Sequence, residues 1–129
     1  GRYDRVISIE MIEAVDWRDY DAYFANIERC MAPDGRAVIQ AICIPDDRWA
    51  RAKNTEDFIR RFVFPNGFLP SVAAIRASVE GATGMRVAEV RDYAPHYAET
   101  LRRWRERFDS RLDDVRAAKQ LDLTWKPAA

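Results

Sequence analysis

Two stretches, Val6-Ile7-Ser8-Ile9 and Ala37-Val38-Ile39-Gln40-Ala41-Ile42-Cys43-Ile44, decide the fold of this 129-residue chain. Both are nearly continuous apolar runs, which is typical of strands buried on both faces of a parallel sheet. Between them, apolar residues at helical spacing predict a helix that Pro33-Asp34-Gly35 ends. Its apolar positions are Tyr20, Tyr23, Phe24, Ile27 and Met31. A strand, a helix and a strand in this order predict a right-handed βαβ unit.

The remainder of the chain predicts further helices and one more strand. Asp16 and Asp19 offer N-cap oxygens to the first helix, Thr55 is expected to cap a short helix that runs to Phe62, and Ser71 to cap the next. Residues 85–93 predict a third, more amphipathic strand. A long helix with one apolar stripe should follow from Tyr97, and the tail at about 120–129 is expected to be frayed. The stripe comprises Leu101, Trp104, Phe108, Leu112 and Val115.

The composition fits one soluble domain over residues 1–129, since 48% of the residues are hydrophobic. The 21 basic and 21 acidic residues balance, so the net charge predicts no nucleic-acid partner. No apolar run is long enough to span a bilayer, which predicts a cytoplasmic protein. Cys30 and Cys43 are too far apart to suggest a zinc site, so no metal is predicted and both are interpreted as reduced core thiols.

Two polar residues stand near the ends of the predicted strands. Glu13 follows the first strand at the edge where open α/β sheets bind ligands, but it also fits the negatively charged start of a helix. Gln40 is the polar residue within the second apolar run, where a buried amide needs partners. It either braces a neighbouring loop or points into a pocket that it shares with Glu13. The residues alone leave both alternatives open.

Two further residues lie at the start of the last helix. Tyr97 is either an aromatic core residue or a hydroxyl donor that reaches over the strand ends. The single histidine, His96, has no serine or cysteine beside it in a catalytic pattern, so we interpret it as an exposed residue near the helix start.

Four segments resemble the cyclopropane-fatty-acyl-phospholipid synthase family, in the order and spacing of that family. They are YDRVISIEMIEAV from Tyr3, IQAICIPDDR from Ile39, FIRRFVFPNGFLPS from Phe58 and YAPHYAETLRRWRERF from Tyr93. The resemblance implies an α/β fold, specifically a partial Rossmann-like class I methyltransferase fold that lacks its amino-terminal cofactor-binding half. No glycine-rich nucleotide loop precedes these segments, and the first residue is Gly1, so we expect a partial coding sequence whose product is inactive alone.

The resemblance also implies a chemistry. In that family, S-adenosylmethionine alkylates a cis double bond of a phospholipid acyl chain, and a bound bicarbonate takes the proton as the ring closes. The implied bicarbonate ligands are Glu13, Ile42 and Tyr97, with Gln40 where many members have histidine. An amide can donate a hydrogen bond but cannot be protonated, so the assignment transfers less directly to Gln40. No residue for cofactor binding is implied within this chain.

The acyl channel is predicted to include four apolar residues, which fit core packing equally well: Phe62, Phe64, Phe68 and Leu69. Phospholipid acyl chains are the implied partner, with the protein peripheral to the inner face of the membrane. Arg60 and Arg61 then face anionic headgroups. Self-association through exposed sheet edges is also expected. Two alternatives stay open: a related methyltransferase on another acceptor, and a non-catalytic remnant or interaction module.

Overall fold

In a computed structural model, residues 1–65 and 67–118 are described, and they divide into two units, one up to Ala88 and one from Glu89 onward. The first unit contains the sheet and the core. Its elements are β1 (Tyr3–Ile9), α1 (Tyr20–Cys30), β2 (Met31–Gln40), α2 (Asp46–Ala52) and α3 (Val72–Ala82). Short 3₁₀ helices at Ile12–Ala14 and Trp17–Asp19 connect β1 to α1, and a π-helical turn spans Ile59–Val63. The second unit contains α4 (Ala94–Asp109) and α5 (Leu112–Ala117).

The predicted βαβ unit is confirmed. β1 and β2 pair in parallel, from Tyr3 opposite Met31 to Ile9 opposite Gln40, and α1 connects them. The core lies where α1 packs on one face of this sheet and against α3. Its buried apolar residues are Ile12, Tyr20, Tyr23, Phe24, Ile27, Met31 and Val79.

Helix starts were predicted with mixed success. Asp16 accepts a hydrogen bond from Arg18 N at 2.9 Å, but it caps the 3₁₀ turn and not α1 itself. Ser71 caps α3 as predicted, since its hydroxyl accepts from Ala74 N at 3.2 Å. The Thr55 prediction is wrong, because the Thr55 hydroxyl donates backwards to the Arg51 carbonyl at the end of α2. A threonine hydroxyl can accept from an N–H at a helix start or donate to a carbonyl at a helix end. The sequence did not show that α2 ends just before Thr55.

Strand boundaries differ from the prediction in two places. β2 begins directly after α1 and ends at Gln40, while Ile44 forms an isolated parallel bridge to Ser71. Residues 85–93 form no strand. Met85 and Val87 do pack against the core, which explains the alternating pattern. Alternation of this kind shows which side chains are buried, and it does not show that the segment pairs with another strand.

The cysteine interpretation is also wrong in part, since Cys30 and Cys43 are both exposed. Within the described ranges, no helix is long and apolar enough to cross a membrane. The predicted tail at 120–129 lies outside the described residues. The predicted single long helix is interrupted at Ser110 and Arg111, so its apolar stripe divides between α4 and α5. The α4 part is largely exposed, with Trp104 at 62% and Phe108 at 49%.

The close packing around Gly35 predicts that a larger residue there lowers the stability of the fold. The pairing register shifts between Tyr3 and Arg5, so residues 32–35 of β2 form a bulge in the ladder. A Cβ on Gly35 would lie 2.9 Å from the Ala32 carbonyl oxygen and 3.1 Å from the Tyr3 carbonyl oxygen. We expect Gly35→Ala to destabilise the fold by about 1–3 kcal/mol, because backbone atoms must move.

Urea unfolding followed by circular dichroism measures this effect. Gly81→Ala is the matched control, since nothing lies within 4 Å of its Cβ position in α3 and alanine favours a helix by about 1 kcal/mol. The two substitutions should therefore move the midpoint in opposite directions. Equal midpoints for both variants would contradict the close approach at Gly35.

Candidate active site

Glu13 lies on a short turn that follows the carboxyl end of β1. The turn is the 3₁₀ helix Ile12–Ala14, and Ile12 anchors it because its side chain is fully buried. This arrangement lets Glu13 Oε1 accept a hydrogen bond of 2.7 Å from Ile42 N, in the segment that follows β2. Parallel strands bring their carboxyl ends to one edge of a sheet, so the two residues meet although 29 positions separate them.

The second carboxylate oxygen of Glu13 is buried and has no hydrogen-bond partner in the described part of the chain. A buried polar atom without a partner costs about 1–3 kcal/mol. Such an atom is a good acceptor for a ligand that brings its own O–H or N–H donor. The ligand role of Glu13 stays a prediction, and this oxygen is the atom that would accept from the ligand.

Gln40 occupies a different environment from the one predicted. It is the last residue of β2 and is exposed, and its Nε2 donates to Glu10 Oε1 at 3.2 Å. Glu10 itself has φ of 50°, a left-handed conformation that costs a non-glycine residue about 1–2 kcal/mol. The prediction that Gln40 is buried is wrong, because β2 ends there and α1 covers the opposite face of the sheet. Its role as a bicarbonate ligand stays a prediction.

Residues 67–71 lie across the carboxyl ends of both strands, and we call them the strap. Phe68 N donates to the Glu13 carbonyl at 2.8 Å, after β1. Ile44 N donates to the Pro70 carbonyl at 2.9 Å, after β2, and pairs with Ser71. The strap therefore holds the two segments that contain Glu13 and Ile42.

Two aromatic residues, Tyr20 and Trp49, pack against Phe68 of the strap, and no sequence pattern connects the three. Trp49 of α2 stacks on Tyr20 with ring centroids 6.1 Å apart and meets Phe68 edge-on at 5.0 Å. The Tyr20 hydroxyl donates to the Phe68 carbonyl over a long 3.5 Å. Burial, and secondarily the charge of Glu13, raise the pKa of Tyr20 well above its usual value. Tyr20 therefore keeps its proton and remains a donor.

The four predicted channel residues do not share one environment. Phe62 and Phe64 are exposed at 40% and 67%, whereas Phe68 is 4% exposed and lies under the Arg60 guanidinium at 5.2 Å. Leu69 is partly buried. Phe68 is buried, and the channel role of all four residues stays a prediction.

Tyr97 belongs to the second unit, in the first turn of α4. Its side chain is 51% exposed, and its backbone N–H donates to the Tyr93 carbonyl at 3.0 Å. The Asp92 carboxylate accepts from Ala94 N at 2.8 Å in the turn that precedes this helix, whose N-cap residue is Tyr93. The bicarbonate role of Tyr97 stays a prediction. His96 is exposed and lies 6.1 Å from the Tyr93 ring, as expected for a residue near a helix start.

Comparison with solved structures identifies the fold class. The mycolic acid cyclopropane synthase CmaA1, crystallised with SAH and CTAB, matches with a TM-score of 0.75 at 25% identity, over 91% of this chain and 44% of that one. The cyclopropane synthase MmaA2 from Mycobacterium tuberculosis matches with a TM-score of 0.71 at 20% identity. The α/β class predicted from the sequence is therefore confirmed, and the fold is that of the cyclopropane synthases.

Sequence comparisons then identify the family. A family model described as mycolic acid cyclopropane synthetase matches residues 1–125. The tuberculostearic acid methyltransferase UfaA1 of M. tuberculosis is 46% identical over 115 residues, which cover 89% of this chain and 27% of that protein. The cyclopropane-fatty-acyl-phospholipid synthase of Escherichia coli K12 is 34% identical over 107 residues, covering 83% and 26%.

The chain belongs to the mycolic acid cyclopropane synthetase family. The resemblance recognised in its four segments is thereby confirmed. The chain spans about a quarter of the length of the two curated relatives named above.

Proposed function

We propose that this chain is part of an enzyme that transfers a one-carbon unit from S-adenosylmethionine to the double bond of an unsaturated phospholipid acyl chain and closes a cyclopropane ring. Family membership supports the reaction class, as do the names of the relatives. The observation that carries the proposal is the Glu13 carboxylate, which has one oxygen held by Ile42 N and the other buried and unpaired.

Bicarbonate fits the donor set at Glu13. Two negative charges repel, so an anion without a proton would be unfavourable beside this carboxylate. Bicarbonate brings one O–H, which the unpaired oxygen of Glu13 can accept. When bound, it would supply a weak base close to the reacting carbons. We assign Glu13 as its acceptor and the Ile42 segment as a further ligand, and the family resemblance alone adds Tyr97.

Each residue then has a separate task. Glu13 orients the base, because its own position is fixed by the bond to Ile42 N. Ile12 and Phe68, which are buried next to the Glu13 turn, would limit the access of water from that side, and water would otherwise capture a carbocation. Gln40 contributes at most a hydrogen-bond donor, since its amide is neutral and its Nε2 donates to Glu10. S-adenosylmethionine supplies the activated methyl group when bound, and we assign it no contact within this chain.

A second candidate product is a methyl branch on the same acyl chain. The observation that favours it is the 46% identity to UfaA1, a protein named for tuberculostearic acid, against 34% to the E. coli synthase. Both outcomes begin with methyl transfer to an alkene. The carbocation then loses a proton either as the ring closes or as a new double bond forms, and a saturated methyl branch requires a hydride-donating reductant as well. A base held at Glu13 completes ring closure without any further reactant, whereas the saturated branch needs a reductant, so the ring is our first proposal.

The substrate places the enzyme at a lipid surface. We therefore propose peripheral binding at the inner face of the membrane in the cytoplasm, with phospholipid acyl chains as the partner. The exposed Phe62 and Phe64 support this location. Arg61 lies in the same segment, with its guanidinium 5.4 Å from the Phe62 ring centroid, and is placed to approach an anionic headgroup.

Product analysis tests the proposal. The natural full-length polypeptide that carries these residues, called the full-length enzyme below, is incubated with S-adenosylmethionine labelled at the methyl carbon and with vesicles of a monounsaturated phosphatidylglycerol. Gas chromatography with mass detection then separates the released acyl chains. We expect a labelled cyclopropane acyl chain. A labelled branched alkene, or a labelled methyl branch that forms only when a nicotinamide reductant is added, would support the second candidate, and unlabelled lipid beside an active E. coli synthase control would overturn both.

A further inference from the structure

Tyr20 is connected to Glu13 through a single backbone residue of the strap. Its hydroxyl donates to the carbonyl of Phe68 at 3.5 Å, and the N–H of the same Phe68 donates to the carbonyl of Glu13 at 2.8 Å. Tyr20 is 2% exposed, so Phe68 is the partner that satisfies its buried hydroxyl. The position of the Glu13 turn therefore depends on a contact made from helix α1.

We propose that Tyr20 is a positioning residue of the reaction, which sets the orientation of the Glu13 carboxylate through the backbone of Phe68. The inference rests on the proposed function, because it requires Glu13 to act in the active site. It goes beyond that function by adding a residue that need not touch substrate or bicarbonate.

The packing around Tyr20 explains how a hydroxyl can position a carboxylate. Trp49 contacts both the Tyr20 ring and the Phe68 ring, so the three side chains form one block. The Glu13 turn is short and is held at its carbonyl by Phe68 N and at its carboxylate by Ile42 N. A shift of the strap changes the first contact, and an error of about 1 Å at a reacting centre can cost about 10²-fold in rate.

Tyr23 provides a matched control on the same helix. It is 9% exposed, and its hydroxyl shares a 2.7 Å hydrogen bond with Ser8 Oγ, shorter than the bond of Tyr20 to Phe68. No hydrogen bond joins its side chain to the strap or to Glu13 in the described part of the chain. If hydroxyl loss acted only through stability, Tyr23→Phe would be at least as damaging as Tyr20→Phe.

The test compares these two substitutions in the full-length enzyme. Tyr20→Phe keeps the ring that stacks on Trp49 and removes only the hydroxyl. We expect kcat to fall about 10-fold with an unchanged KM for the lipid, which is typical of an interaction made in the transition state. Tyr23→Phe should keep kcat within about two-fold of the parent enzyme. Urea unfolding of both variants reports any difference in stability.

A double-mutant cycle with Glu13→Gln separates positioning from general loosening. If Tyr20 acts through Glu13, Tyr20→Phe should lower kcat by less than about two-fold in the Glu13→Gln background. The inference is overturned if Tyr20→Phe retains parental kcat, loses no more than Tyr23→Phe, or loses 10-fold in both backgrounds. A normal rate for Glu13→Gln alone would instead reject the proposed function, so the two failures are distinguishable.

Discussion

Glu13→Gln is expected to lower kcat of the full-length enzyme by about 10²-fold, the usual size of a general-base effect. Glutamine has the shape of glutamate, and its carbonyl oxygen can still accept from Ile42 N. The other end then carries an NH₂ group in place of the buried unpaired oxygen. A donor now stands where the proposed ligand needs an acceptor, so the base is lost or misplaced.

Glu10→Gln is the matched control for this substitution. Glu10 is also an acid that follows β1, but it is exposed and pairs with Gln40. We expect turnover of Glu10→Gln to stay within about three-fold of the parent enzyme, because no hydrogen bond joins Glu10 to Glu13 or Ile42 among the described residues and the glutamine oxygen can still accept from Gln40. Single-turnover measurements of labelled product compare the two variants. Near-normal turnover of a folded Glu13→Gln enzyme would identify Glu13 as scaffold and refute the bicarbonate assignment.

The sequence predicted the parts of the fold that depend on local patterns. β1, α1 and the cap at Ser71 follow from apolar runs, helical spacing and a hydroxyl before a helix. The rule that parallel strands end at one edge placed Glu13 at the edge where the second strand also ends, and the structure brings it to Ile42 there. These features require only neighbouring residues or a known topology.

Features that depend on distant partners were missed or misjudged. The alternation after Met85 predicted a strand, but pairing needs a neighbouring strand that no local pattern specifies. Gln40 was expected to be buried because it stands in an apolar run, and it is exposed because β2 ends there. The block of Tyr20, Trp49 and Phe68 joins three separate segments, so its residues appeared only as ordinary apolar or aromatic positions.

The family resemblance and the geometry contribute different information about the site. The resemblance named Glu13 and Ile42 as ligands from their place in a motif. The structure adds that they bond to each other at 2.7 Å and that one Glu13 oxygen remains free for a donor. In the structure the Gln40 side chain donates to Glu10 and not to Glu13 or Ile42. A ligand role for Gln40 thus requires its side chain to leave Glu10.

Ile12→Ala is expected to have the largest effect on stability. Ile12 is 0% exposed and belongs to the main core, so removing its side chain leaves a cavity. Substitutions of this kind cost about 2–5 kcal/mol in the free energy of unfolding. Ile12 also anchors the turn that carries Glu13, so kcat should fall in the fraction that stays folded.

Ile12→Val provides the graded control at the same position. It removes one methylene group and should cost about 0.5–1.5 kcal/mol, with little change in kcat. Urea unfolding of the full-length enzyme and its two variants gives the free energies, and initial rates at low temperature give kcat. A cost below about 1 kcal/mol for Ile12→Ala would mean that the site collapses around the smaller side chain. The turn would then owe its position to the strap, and the contact between Phe68 N and the Glu13 carbonyl would become its main support.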